Sequence, residues 1–222
     1  MRDFSKTGTN DNGQGANLDQ TDSQIREITE RVDCTCDEPI FCVLGMGRIG
    51  LPIALSIGER YQSIGFDAEP GRIRDLQRVH GRNARGSATT PQGAIHLHFT
   101  SLLEDLTSAD IYVIATHMEQ FDNATNIVSL VLAPGNVVVY ASKSTARRLE
   151  EISIPQIETV AGMTCNRDFY VAYCGVEPHI SGSNTKIFRH RIKGVRGTPE
   201  HVMWYLAQLQ SAIPAAQTTP TI

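Results

Sequence analysis

From Pro39 onward, short wholly apolar runs alternate with amphipathic segments, and that rhythm admits few folds. Ile111 to Ala115 and Val137 to Ala141 carry no charged residue, as expected of central parallel strands covered on both faces. Ile40 to Leu44, Ser63 to Phe66, Ile95 to Phe99 and Phe169 to Tyr173 read as further strands. Helical spacing separates them at Arg48 to Arg60, through Ile73, Leu76 and Val79, at Asn123 to Leu132 and at Arg147 to Ala161, with a closing helix at Pro199 to Ile213. Strands alternating with helices predict an α/β fold: a doubly wound, mainly parallel sheet with helices on both faces. A polar loop is expected over His80 to Gln92, and a Gly-, Ser- and Asn-containing loop before a strand at Ile187 to Ile192.

This pattern occupies residues 37–213. Residues 1–36 read as an extension, its first 22 positions rich in Gly, Asn, Asp, Thr and Gln and expected to be disordered. Thr21 to Val32 has the spacing of a short helix, with Ile25, Ile28 and Val32 on one face, and residues 214–222 form a frayed tail.

With 41% apolar and 20% charged residues and a net charge of −4, the chain has no global attraction to nucleic acid or to an anionic membrane. Its N-terminus lacks a secretory layout and no apolar run reaches the length of a membrane span, which predicts a cytoplasmic protein. Five scattered cysteines do not suggest a disulfide framework. Cys34 and Cys36 followed by Cys42 lack a second pair at zinc spacing, so no metal site is expected.

Gly45-x-Gly47-x-x-Gly50 falls between the first strand and an apolar helix, where a dinucleotide needs it. The first glycine permits the tight turn, the second the approach of a pyrophosphate, the third close packing of helix on strand. The helix start then offers free N–H groups and a positive dipole end to the phosphates. Asp67 ends the second strand, near the spacing of about 20 residues at which an acid accepts bonds from the adenosine ribose. A carboxylate there repels a 2′-phosphate, which favours NAD over NADP, although Arg72 and Arg74 lie close by. The bland alternative is that Asp67 only caps the following helix.

The run from Phe41 to Gly71, above all Gly45-Met46-Gly47-Arg48-Ile49-Gly50-Leu51-Pro52, resembles the N-terminal domain of UDP-glucose/GDP-mannose dehydrogenases, including the UDP-N-acetylmannosamine branch. Similarity continues in Asp110 to Ala115, in Pro134-Gly135 before Val137 to Tyr140, in Phe169 to Tyr173 and in Gly197 to Glu200. The resemblance implies a nucleotide-sugar 6-dehydrogenase that uses NAD twice to oxidise a sugar 6-hydroxyl to a carboxylate through a thioester on cysteine, in polysaccharide precursor synthesis. It further implies that the catalytic cysteine and the nucleotide-sugar domain lie outside this sequence, on another chain or a lost segment, and that the protein is a homo-oligomer. The implied cofactor contacts are Gly45, Met46, Gly47, Arg48, Ile49, Gly50, Asp67, Arg72, Ala115, Thr116 and Ser142.

Departures from the family pattern fall where chemistry is done. Thr116-His117-Met118-Glu119 stands where the family has Val-Pro-Thr-Pro, and of Ser-Thr-Val-Pro-Pro-Gly only the serine, Ser142, survives. Glu177 matches the family's acid after the sixth strand only if the loop has slipped by one residue, and Cys174 is the cysteine nearest the expected cofactor edge, although a cysteine at a strand end is more often buried and inert. His96 and His98 share one face of a strand and suit a half-solvated edge better than a metal. His117 follows the fourth strand, at the ligand-binding end of such sheets, yet a surface histidine is the commoner case. The basic run from Arg189 to Arg196 alternates with apolar residues and reads as a solvated strand face rather than a nucleic-acid contact. Three functions stay open: the NAD-binding part of a nucleotide-sugar dehydrogenase, a non-catalytic NAD-binding or oligomerising module derived from one, and a different Rossmann oxidoreductase using His117 or Lys143.

Overall fold

The computed structural model describes residues 38–80, 94–141, 146–174, 176–181, 184–189, 192–194 and 199–213, all within the unit Cys36–Ile222. The expected N-terminal extension with its short helix and the tail from 214 lie outside the described residues, as does the loop expected over His80 to Gln92 apart from His80, which ends a helix.

Seven strands form one sheet in the order β3-β2-β1-β4-β5-β6-β9. They are β1 (Phe41–Leu44), β2 (Ser63–Phe66), β3 (Leu97–Thr100), β4 (Ile111–Ile114), β5 (Val137–Ala141), β6 (Tyr170–Cys174) and the short β9 (Lys193–Gly194). The first six are parallel, and only β9 runs antiparallel, against β6. Every residue of β1, β4 and β5 is buried, the physical counterpart of their unbroken apolar sequence.

Alternate side chains along these strands feed two cores. On one face Phe41, Val43, Ile111, Val113 and Val139 meet α1 (Gly50–Ile57), α2 (Pro70–His80) and the closing α5 (Glu200–Ala212) through Ile53, Ile57, Ile73, Val202 and Leu206. On the other, Leu44, Ile64, Tyr112, Ile114 and Tyr140 meet α3 (Phe121–Val131) and α4 (Ile154–Ala161) through Phe121, Val128 and Ile157. Helices thus cover both faces, and the expected doubly wound α/β architecture is present. Buried hydroxyls on the second face are satisfied locally: Thr125 donates to the Phe121 carbonyl, and its Oγ1 lies 3.1 Å from the Tyr140 hydroxyl. Burial pushes the Tyr140 phenol up to about 12.

Where elements differ from the sequence expectation, local chemistry explains it. The first helix is shorter than Arg48 to Arg60 because the chain turns at Gly58, where an added Cβ would sit 2.7 Å from the Cβ of Leu97. The helix expected over Arg147 to Ala161 is interrupted: a helical turn at Ala146–Arg148 widens into a π turn at Leu149–Ser153 before α4 begins. Pro155 has no N–H to continue the ladder, so it is accommodated in the first turn of a new helix. The loop expected after β6 is instead a separate hairpin of β7 (Val176–Ser181) and β8 (Asn184–Arg189). Its strands pair antiparallel from Val176 opposite Arg189 to Ser181 opposite Asn184. Among the described residues no helix is long and apolar enough to cross a membrane.

Ile53 is fully buried where α1 seats on the sheet. Ile53→Ala is expected to lower unfolding free energy by about 2–5 kcal/mol, read from the midpoint of urea denaturation with the slope unchanged.

Candidate functional site

β1 leads into a helix on one face of the sheet and its neighbour β4 into a helix on the other, so a crevice opens at their carboxyl ends. The turn after β1 fills the inner part of that crevice. Gly45 has φ +93°, and a side chain on it would press to 2.7 Å from Thr116 Cγ2. At Gly50 an added Cβ would lie 1.9 Å from the carbonyl oxygen of Gly45, so only a bare Cα lets α1 start this close to the strand. Gly47 has nothing within 4 Å of its missing Cβ, and its backbone faces open space.

Asp67, just past β2, holds this turn in place. Its Oδ2 accepts the Met46 N–H at 2.9 Å and its Oδ1 accepts the Glu69 N–H at 3.1 Å. Arg72 stands beside it, with Nε 3.6 Å from the same Oδ2, Nη1 donating to the Met46 carbonyl at 3.4 Å and Nη2 3.8 Å from Glu69. A carboxylate has about four lone-pair directions, so two backbone bonds leave Asp67 able to accept from a ligand as well.

The resulting cleft of about 500 Å³ is lined by Gly45, Gly47, Arg48, Ile49, Asp67, Arg72, Ala115 and Thr116, all anticipated from sequence, and by Ala68, Glu69, Pro70, His117 and Gln120. Of the anticipated set, Met46 turns its side chain into the core at 2% exposure, while Gly50 lies behind the turn. Ser142 and Lys143 lie outside the described residues. Ala68, Glu69 and Pro70 were legible only as the step from β2 into α2, and Gln120 as part of the departing loop after β4. A second cleft, about 440 Å³, runs along β3 between Gln62, Gln77 and His96. It contains neither the glycine turn nor a strand carboxyl end next to a helix start, so the first cleft is the candidate site.

No described cysteine serves that cleft. Cys174 is 1% exposed and packed among core residues, and burial pushes the Cys42 thiol far up and that of Cys165 to about 11, the latter aided by Glu158. Glu177 sits in the hairpin, opposite Phe188. His98 is exposed on the edge strand with Nε2 3.7 Å from Asp105, and His96 Nδ1 lies 3.3 Å from Gln62 Nε2. Among the described residues no three His, Cys, Asp or Glu side chains gather as they would around a metal.

A parallel sheet in this strand order, with a glycine turn at the point where the order reverses, defines a Rossmann-type domain. No protein-family model matches the chain. It is 29% identical over 184 residues to protein CapL of Staphylococcus aureus, covering 78% of this chain and 43% of that one. It is 31% identical over 147 residues to a UDP-N-acetyl-D-glucosamine 6-dehydrogenase of Salmonella typhi, covering 62% and 35%. Among solved structures, its fold is similar to an NDP-N-acetyl-D-galactosaminuronic acid dehydrogenase of Methanosarcina mazei (TM-score 0.61, 16% identity, 83% and 44% covered). It is also similar to a UDP-D-ManNAc dehydrogenase of Pyrococcus horikoshii (TM-score 0.59, 20% identity, 79% and 45% covered). The chain is thus similar in sequence and fold to nucleotide-sugar dehydrogenases, and spans under half the length of the curated relatives it matches.

Gly50→Ala is expected to cost about 1–3 kcal/mol, since the new methyl must displace backbone rather than a flexible side chain. Asp67→Ala should cost a similar amount, about 1–3 kcal/mol, by leaving the Met46 and Glu69 N–H groups without their acceptor. Chemical denaturation of the ligand-free protein measures both, and an Asp67→Ala protein as stable as the parent would refute the bracing role.

Proposed function

We propose that this chain is the NAD-holding part of a nucleotide-sugar 6-dehydrogenase, acting on the 6-hydroxyl of a UDP- or GDP-sugar in the synthesis of polysaccharide precursors. The observation that carries the reading is the geometry of the three glycines: one bent to positive φ, one with no room for a Cβ, and between them Gly47 facing open space. That is a cradle shaped for a diphosphate at the start of α1. Asp67, with Glu69 near it, would accept the adenosine ribose hydroxyls, and the loop after β4, Ala115 to His117, would border the diphosphate and the nicotinamide half beyond it. NAD, when bound, supplies a hydride acceptor. The chain's own residues would bind it, orient it and exclude water from one side.

The buried position of Cys174 and the replaced loop after β4 favour a division of labour in which the thiol and the sugar site come from other polypeptide, in the same or a partner chain. They also keep in view a second reading, an NAD-binding module without chemistry of its own.

Calorimetric titration tests the first claim: NAD should bind, and NADP at least about tenfold more weakly, because its 2′-phosphate meets two carboxylates. Equal affinity for the two would remove Asp67 from the ribose site. With NAD and UDP-N-acetylglucosamine, UDP-glucose or GDP-mannose, the isolated chain should show no reduction of the nicotinamide, and turnover would overturn the division of labour.

A further inference from the structure

The cleft is electrostatically lopsided. At its β2 end Arg72 is held by Asp67 and Glu69, so that its charge is spent within the protein. At its other end Arg48, on the glycine turn, and His117, after β4, both line the cleft and are exposed, and among the described residues neither side chain has an ion-pair or hydrogen-bond partner. Between them Gly47 leaves open space, and the Oγ1 of Thr116, adjacent to His117 in the chain, is buried without a hydrogen-bond partner. A protein rarely leaves a buried hydroxyl unsatisfied without reason. Two basic groups that line one crevice and are unpaired among the described residues, together with an idle hydroxyl, describe a place for a dianion.

We propose that His117 and Arg48 are the two cationic jaws of the diphosphate subsite, and that protonation of His117 makes dinucleotide affinity depend on pH. The proposal rests on the nucleotide-binding reading above and adds to it a binding residue at a position where the family pattern has proline. Arg48 stays charged at all working pH values, so the pH response belongs to the imidazole. The other charged groups around the cleft are Asp67, Glu69 and Arg72 from the β2 end, and Glu119 lies two residues beyond His117. A phosphodiester keeps its negative charge between pH 5.5 and 8. Imidazolium attracts the diphosphate and neutral imidazole does not. Affinity must therefore rise as pH falls and decline as pH rises.

The test is titration of the full chain with NAD at pH 5.5, 6.5 and 8.0 at fixed ionic strength, for the parent, His117→Asn, Arg48→Ala and, as a control far from the cleft, His98→Gln. The parent and His98→Gln should bind about threefold more tightly at pH 5.5 than at pH 8.0, the scale of an exposed ion pair. His117→Asn should bind with nearly the same affinity at all three values, and Arg48→Ala more weakly at each while keeping the slope. Thermal unfolding of each variant separates lost binding from lost fold. A parent with NAD affinity independent of pH, or a His117→Asn protein that keeps the parent slope, overturns the jaw while leaving the cofactor reading intact. No NAD binding by a folded parent at any pH overturns both.

Discussion

Asp67 grips the turn after β1 from the neighbouring strand, and the shape of the cleft depends on that grip. Its carboxylate fastens the Met46 N–H on one side and the Glu69 N–H on the other, joining the exits of β1 and β2 into one rigid rim. Arg72 locks the arrangement by touching both Asp67 and the Met46 carbonyl. With the rim fixed, the close contact of α1 with Gly45 follows, and so does the exposure of Gly47. A residue expected to serve only the ligand therefore also builds the site in the ligand's absence, an economical use of an acid that is only partly exposed.

The cleft then divides its charges by position. Acids and their bound arginine occupy the end where a ribose would lie, and basic groups unpaired among the described residues lie where phosphates would pass. This order matches a dinucleotide laid across the carboxyl ends of the strands with adenosine toward β2. It also explains why net charge was uninformative: −4 spread over the molecule says nothing about a few side chains sorted within one crevice.

Much of the fold could be read from residue order because β1, β4 and β5 are buried on both faces and so show unbroken apolar runs, which few other structures produce. Strand ends shifted by a residue or two, as at Leu97–Thr100 and Tyr170–Cys174, since the last paired residue depends on its neighbour rather than on itself. The β7–β8 hairpin is hidden in the sequence because Pro178 and the polar residues around it mask the strand pattern. In the site, the glycines and Asp67 were visible as spacing. Met46 was not: its place in the fingerprint puts its backbone near a phosphate, but only packing against Gly65 and Phe99 sends its side chain inward. Glu69 and Gln120 entered the cleft through the path of loops, which local sequence does not encode.

The position of β1 in the sheet has a consequence for how the molecule comes into being. Its two partners, β2 and β4, stand on either side of it, and the chain must complete two crossovers and lay down β3 before β4 can dock. Parallel pairing of this kind closes long loops, whose entropy is lost before contacts repay it, and so forms slowly. The crevice between β1 and β4 exists only where that long-range pairing has formed. A ligand seated there would reward only the finished sheet, drawing the population toward it without guiding the chain on its way.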